Sequence, residues 1–199
     1  PPTDKFRIHQ GQDLFGRIIS EATIQAVETG LHRILAPFET HVKTLLCQAP
    51  LAHFDETGMR VKGRLHWLHC ACTATLTWYG VHAKRGRKAI NEFDILPRLR
   101  GRAVHDGLES YFLYSGAHGL CNAHHCRELV FIEEVLRRTW ARKLRRLLLR
   151  MLKAVRAARP KTLSPRRLAA FLRQYRAILA QGFKRHPFQA PTPGRRGRP

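Results

Sequence analysis

The segment "LAHFDETGMRVKGRLHWLHC", residues 51–70, sets the architecture of the chain. It contains two short runs of β-favouring residues, separated by the turn-like "RVKGR" at residues 60–64. A similar run, "LTWYGVHAK", follows at residues 76–84. Short β-favouring runs broken by turn residues are typical of consecutive antiparallel strands. We therefore predict three antiparallel strands, beginning at residue 51.

A fourth strand is predicted at "GRAVHDG", residues 101–107, after a helix-like stretch at residues 86–99. A strand that is reached through a helical crossover lies parallel to a neighbour in the same sheet. The stretch "GAHGLCNAH", residues 116–124, favours a fifth short strand. The sequence therefore predicts an α/β domain, a mixed sheet with flanking helices.

The N-terminal segment, residues 1–50, has a helical pattern. Its apolar residues recur at intervals of three and four between residues 12 and 46, as they do on one face of a helix. Pro37 lies within this pattern, and a proline inside a helix removes a backbone donor. We predict a helix there that Pro37 kinks or splits.

Two amphipathic helices are predicted within residues 135–182. The second begins at Ser164, a favourable N-cap followed by a proline, and Gly182 is the predicted stop. The remaining stretch, residues 183–199, is rich in Pro, Gly and Arg and has no periodicity. We predict a flexible linker or tail for it.

Charge is unevenly distributed along the chain. The 199 residues include 36 Lys and Arg against 14 Asp and Glu, a formal net charge of +22. Residues 135–199 hold 20 of the basic side chains and none of the acidic ones. Such a strongly basic segment predicts a polyanionic partner, and a nucleic acid is the first candidate.

Cysteine usage and hydropathy bear on the cellular compartment. The five cysteines are an odd number without the regular spacing of a disulfide framework, so we predict reduced thiols and a cytoplasmic protein. The sequence has no apolar stretch of membrane-spanning length, and we expect no membrane partner.

Asp55 and Asp106 share a sequence context that suggests a site. Each ends a short apolar run and precedes turn residues, in "HFDETG" and "AVHDGLES". If both runs are neighbouring strands, the two carboxylates can share a divalent cation, and hard oxygen ligands suit magnesium or manganese. Beside a polycationic segment, this predicts metal-dependent phosphoryl transfer on a nucleic acid. Without further information, the residues alone fit a turn position and a helix N-cap better than a metal site.

Four ordered motifs identify a family resemblance. They are "HFDETGMRVKGRLHWLHCACT", "HAKRGRKAI", "ILPRLRGRAVHDGLESYF" and "HGLCNAHHCREL". In order and spacing they resemble the catalytic region of insertion-sequence transposases of the IS66 type, over residues 12–182. The resemblance implies a DDE-type transposase with a ribonuclease-H-like core at residues 51–134, which cleaves and transfers DNA strands with magnesium or manganese. It also implies that Asp55 and Asp106 are the first two catalytic and metal-binding acids.

The same resemblance implies the partners and the location. They are the transposon ends and target DNA, further copies of the full-length protein in a homo-oligomer, and the bacterial cytoplasm beside the nucleoid.

The family's third acid is a glutamate in an "N-x-x-A-E-R" motif, beyond a helical insertion. The present sequence has no such motif and no acidic residue after Glu134. We therefore expect residues 135–182 to be the basic insertion and the chain to be a fragment or a truncated product. Glu128 is the in-chain alternative for a third metal ligand, because it follows the predicted fifth strand. Glu56, next to Asp55, is expected either to support the ligands or to face solvent.

The basic residues predicted to hold the DNA backbone form two groups. Runs of charged residues are usually exposed to solvent, so the alternative to DNA binding is a simple solvated helix face. The rival to a transposase is a non-catalytic basic module that binds nucleic acid, or an inactive transposase remnant. The predicted DNA-binding residues are Lys84, Arg85 and Arg87 in the first group and Arg138, Arg142, Lys143, Arg145 and Arg146 in the second.

A cluster of potential zinc ligands lies in "HGLCNAHHCREL". His118, Cys121, His124, His125 and Cys126 fall within nine residues. Structural zinc sites usually contain two separated pairs of ligands, which this spacing lacks. A packed strand-to-helix junction is therefore predicted in preference to a structural zinc site.

Overall fold

The computed structural model describes residues 16, 19–160 and 162–187. They fall into two compact units, which divide between Gly119 and Leu120. The first unit carries the sheet and the second is helical, and each is described by itself.

The first unit contains a five-stranded mixed sheet, in the order β3-β2-β1-β4-β5. β1 pairs antiparallel with β2, β2 pairs antiparallel with β3, and β4 runs parallel to β1. The predicted mixed α/β architecture is therefore confirmed. The strands are β1 (Leu51–Val61), β2 (Arg64–Cys72), β3 (Thr77–His82), β4 (Arg102–His105) and β5 (Ala117–Leu120).

The turn between β1 and β2 is tighter than the sequence suggested. Val61 pairs with Arg64, so only Lys62 and Gly63 form the loop. Both have positive φ, at 49° and 76°. Two-residue loops of this kind match the twist of the strands that they join, so pairing extends to the turn itself.

Helix α1 (Glu21–Gln48) precedes the sheet. The Ser20 side chain caps it by accepting a hydrogen bond from the Thr23 backbone N–H at 3.1 Å. The helix continues through Pro37 without interruption, so the predicted split is wrong. Pro37 removes one backbone N–H donor from the helix. The helix nevertheless continues to Gln48, because its last turns are buried at Val42, Leu46 and Cys47. The predicted start at residue 12 lies outside the described residues.

Three short helical elements complete the first unit. They are α2 (Arg87–Phe93) and the 3₁₀ helices at Leu96–Arg98 and Glu109–Leu113. They pack over a core that also contains residues of α1 and of strands β1, β2, β3 and β4. Its buried members are Val42, Leu46, Cys47, Ala52, Phe54, Ala71, Trp78, Ile90, Ile95, Leu96, Ala103 and Tyr111.

The second unit contains α3 (Asn122–Glu134), α4 (Thr139–Ala157) and α5 (Pro165–Arg185). Leu129, Ala141 and Leu144 form its buried centre. Ser164 caps α5, as predicted, with its hydroxyl accepting from the Arg167 backbone N–H at 3.4 Å.

The predicted stop at Gly182 is wrong, because α5 continues to Arg185. Gly182 is buried inside the helix, and a β-carbon there would lie 3.2 Å from the Trp140 ring. The glycine therefore marks a close approach between α4 and α5. Residues 188–199 of the predicted tail lie outside the described residues.

None of the described helices combines the length and the apolar character needed to cross a membrane.

Candidate active site

The parallel pairing of β1 and β4 places Asp55 and Asp106 in corresponding positions. The last paired residues are His53 on β1 and Val104 on β4. Each aspartate follows its paired residue by two positions, so the same register applies to both. Asp106 directly follows the last residue of β4, where the backbone turns away from the sheet.

β1 directs Asp55 and Glu56 to opposite faces of the sheet. Along the first six residues of β1, exposed and buried positions alternate strictly. Asp55 is exposed, whereas Glu56 follows Ala52 and Phe54 into the core and is only 8% exposed. The Asp55 carboxylate accepts a hydrogen bond from the Glu56 backbone N–H at 2.9 Å. The expectation that Glu56 faces solvent is therefore wrong.

Glu56 is held in the core by hydrogen bonds to its carboxylate. The Tyr111 hydroxyl donates to Oε1, and Arg85 Nε donates to Oε2 at 3.4 Å. His69 Nδ1 lies 3.9 Å from Oε1. Burial raises the pKa of Glu56, and the bonds from Tyr111 and Arg85 oppose that rise. Burial, reinforced by the Glu56 charge, raises the pKa of Tyr111 far above its ordinary value, so the phenol remains a donor.

Arg85 connects this buried carboxylate to Asp106. Its Nη2 donates to Asp106 Oδ2 at 2.9 Å, and its guanidinium carbon lies 5.0 Å from the centre of the Trp67 ring. The second oxygen of Asp106, Oδ1, accepts from the Leu108 backbone N–H at 2.8 Å. Both carboxylate oxygens of Asp106 therefore have protein partners.

A histidine chain fixes the turn after β4. The Gly107 backbone N–H donates to His105 Nδ1 at 3.1 Å, so the proton of the neutral ring is assigned to Nε2, which lies 3.0 Å from His118 Nδ1. His118 Nε2 in turn lies 3.1 Å from the Tyr114 carbonyl oxygen. Burial lowers the pKa of His105. Two hydrogen bonds thus hold the turn that carries Asp106, one from the Gly107 N–H to His105 and one from the Leu108 N–H to Asp106.

The sequence interpretation missed the buried partners of the aspartates. The available signal was the period of two along β1, which assigns Glu56 to the same face as Ala52 and Phe54. No local pattern links Glu56 to Arg85 or to Tyr111, which lie 29 and 55 residues away. Those contacts depend on the tertiary fold.

The residues present fit a divalent cation only in part. Asp55 and Asp106 offer the hard oxygen ligands that magnesium and manganese prefer. Asp106 is, however, bound by a guanidinium. Across residues 16, 19–160 and 162–187, no three His, Cys, Asp or Glu side chains are grouped so that they could hold a metal ion. Within the described residues, Asp55 and Asp106 by themselves therefore do not form a complete set of metal ligands.

Glu128 and four of the five potential zinc ligands, all but His118, lie in the second unit. Glu128 is exposed on α3, where it lines a pocket with His125, Leu129 and Trp140. His118 belongs to the first unit, in the histidine chain described above.

Two basic residues of α4 bind an acidic residue that lies outside the basic segment, since residues 135–182 contain no Asp or Glu. Glu133 on α3 accepts from Arg142 Nε at 2.6 Å and from Arg145 Nη2 at 2.9 Å. The Arg145 hydrogen bond is the main cause that lowers the pKa of Glu133. Lys143 Nζ lies 3.3 Å from the Gln181 side-chain oxygen, and Arg146 is exposed.

The other predicted DNA-binding residues differ in their surroundings. Lys84 and Arg87 are exposed, whereas Arg85 is committed to the two carboxylates. Arg138 occupies the N-cap position of α4.

Comparison with known proteins identifies a family. A family model described as "Transposase IS66 family" matches residues 6–194. The search of curated proteins found no match. The search of solved structures found none either.

Proposed function

Because the chain belongs to the Transposase IS66 family, we propose that it is catalytic-core material of a DDE-type DNA transposase, which cleaves a phosphodiester bond and transfers the strand. The observation that carries this proposal is the register of β1 and β4. It places Asp55 and Asp106, 51 residues apart in sequence, each two residues beyond the last β1–β4 pair, with Asp55 inside β1 and Asp106 just past the end of β4.

The proposal includes the ribonuclease-H-like fold that the family resemblance implies. Support comes from the sheet, in which three antiparallel strands are followed by a parallel fourth strand and a fifth beyond it. A crossover containing α2 joins β3 to β4. Asp106 lies just past the carboxyl end of β4, which is where such folds place ligands, and Asp55 lies on the adjacent strand β1.

Asp55 and Asp106 would hold a magnesium or manganese ion, with a third ligand outside the set that the described residues form. When bound, such an ion supplies Lewis-acid stabilisation of charge on a phosphodiester. The protein's own residues contribute by orienting the two carboxylates. The Leu108 N–H and Arg85 orient the Asp106 carboxylate, and the Glu56 N–H orients Asp55.

Exposed cations would hold the DNA backbone. Lys84 lies next to Arg85 in the connection before α2, and Arg87 is the first residue of α2. Arg146 is exposed on α4, in the second unit. Such residues bind phosphates without regard to sequence, so we propose that they hold DNA and that base recognition lies elsewhere. The homo-oligomer that the family resemblance implies remains a proposal as well.

One observation favours the second candidate, a non-catalytic DNA-binding module. Asp106 is paired with Arg85, and no group of three potential ligands exists in the part of the chain that the structure describes. In that case the acids stabilise the fold alone and the basic residues bind DNA.

A nicking assay on supercoiled plasmid DNA in magnesium separates the two candidates. We expect the protein to nick DNA, and Asp55→Asn and Asp106→Asn each to lower the rate by about 100-fold or more, since a lost ligand removes transition-state stabilisation. DNA affinity should change little in either variant. Nicking that survives both substitutions would overturn the catalytic proposal.

A further inference from the structure

The guanidinium of Arg85 lies beside the Asp106 carboxylate and is the cation that binds it in the structure. It contacts Asp106 Oδ2 at 2.9 Å and Glu56 Oε2 at 3.4 Å, and its side chain is 35% exposed. A carboxylate that binds a guanidinium in this way has its negative charge already compensated. Arg85 is therefore more than a surface cation that waits for DNA.

Glu56 and Trp67 hold Arg85 in this place. The Glu56 side chain has no exposed surface, and Tyr111 fixes its other oxygen. Trp67 contributes its ring face to the guanidinium. Because a buried carboxylate is costly without a partner, Glu56 keeps Arg85 close to the core. Arg85 thus has a fully buried partner in Glu56, at 3.4 Å, and a closer, partly exposed partner in Asp106, at 2.9 Å, whose side chain is 20% exposed.

We propose that Arg85 is a positioning residue that holds Asp106 through the Glu56–Arg85–Asp106 bridge and releases it when a divalent cation binds. This inference rests on the proposed function, because it assumes that Asp106 is a metal ligand. A guanidinium and a divalent cation at the same carboxylate repel each other, so Arg85 competes with the metal. After release, Arg85 remains anchored on Glu56.

Calorimetric titration with MgCl₂ tests the competition directly. The variant Arg85→Met keeps an apolar stem beside Trp67 and removes the cation. We expect it to bind Mg²⁺ roughly tenfold more tightly than the unsubstituted chain, because the competing charge is gone. A residue with only a structural role would weaken binding when it is replaced. Lys88→Met is the matched control for net charge, since Lys88 is exposed in the first turn of α2, three residues after Arg85, and the Mg²⁺ affinity of this variant should stay unchanged.

A double variant guards against misfolding. Arg85→Met alone leaves the Glu56 carboxylate buried without its cation, which destabilises proteins more than removing both partners does. Glu56→Gln/Arg85→Met removes both charges and should also bind Mg²⁺ more tightly. Intrinsic fluorescence gives a second measurement. Addition of Mg²⁺ should change the Trp67 emission as Arg85 moves, and this change should vanish in Arg85→Met and in Trp67→Phe.

The outcomes separate the inference from the proposed function. If Mg²⁺ binds, Asp106→Asn abolishes binding and both Arg85 variants bind no more tightly, the Arg85 inference is wrong and the catalytic proposal stands. If Mg²⁺ binds to none of the proteins, or binds without regard to Asp106, both fail. Tighter binding by both Arg85 variants, with Lys88→Met unchanged, supports both.

Discussion

At the scale of single residues, the candidate site depends on the alternation of side chains along one strand. Asp55 and Glu56 are adjacent acids, yet one is exposed and the other is buried with Tyr111 and Arg85. Asp106 could be found from sequence because strand ends and turn residues are local signals. The same expectation for Asp55 is wrong, because β1 continues past it to Val61. The role of Glu56 could not be found from sequence, because its partners are assembled by the tertiary fold.

Gly80 on β3 gives a residue-scale prediction. A β-carbon there would overlap the ring of Trp78, which is buried in the core, and would lie 2.8 Å from the ring of Phe93, which packs against that core. We expect Gly80→Ala to lower the free energy of unfolding by about 1–3 kcal/mol, because the rings must move in a packed interior. Urea denaturation followed by circular dichroism measures the change.

Gly30 is the matched control for this substitution. It lies within α1 and has no heavy atom within 4 Å of the added carbon. Gly30→Ala should therefore raise the free energy of unfolding by about 0.5–1 kcal/mol, through helix propensity alone. Equal effects of the two substitutions would show that the ring packing around Gly80 is wrongly described.

At the scale of elements, the sequence predicted what local chemistry determines. The strands, the crossover and the Ser164 cap follow from turn residues, periodicity and capping preference. Two expectations failed because packing overrides such signals. α1 continues through Pro37, and α5 continues past Gly182, which lies against Trp140. A glycine signals a helix end in one context and a close helix contact in another.

The contact between α3 and α4 gives an element-scale prediction. Glu133 binds Arg142 and Arg145, so two cations of the basic helix are compensated. Glu133→Gln should release them, strengthen binding to duplex DNA and steepen the plot of log K against log salt by roughly one to two. Fluorescence anisotropy at several salt concentrations measures both quantities.

Glu134→Gln is the control, because it removes the same charge from an exposed neighbour on α3. If it steepened the salt dependence as much as Glu133→Gln does, the effect would be one of net charge, and the role of Arg142 and Arg145 in DNA contact would be contradicted.

At the scale of the whole molecule, acids and cations have separate tasks. All 14 Asp and Glu lie within residues 1–134, and the chain still carries a net charge of +22. Family membership and net charge together favour DNA as the partner. The family resemblance assigns the third acid to a motif that this sequence lacks, and within residues 16, 19–160 and 162–187 no third potential ligand is grouped with the two aspartates.

The central claim is that Asp55 and Asp106 bind one divalent ion together. Iron-directed cleavage tests it, since Fe²⁺ bound in place of Mg²⁺ generates hydroxyl radicals with ascorbate and peroxide and cuts the nearby backbone. The account predicts cuts around both residue 55 and residue 106, suppressed by excess Mg²⁺, and the loss of both cuts in either Asp55→Asn or Asp106→Asn. Cleavage at one segment alone, or a cut at one segment that survives substitution of the other aspartate, would contradict it.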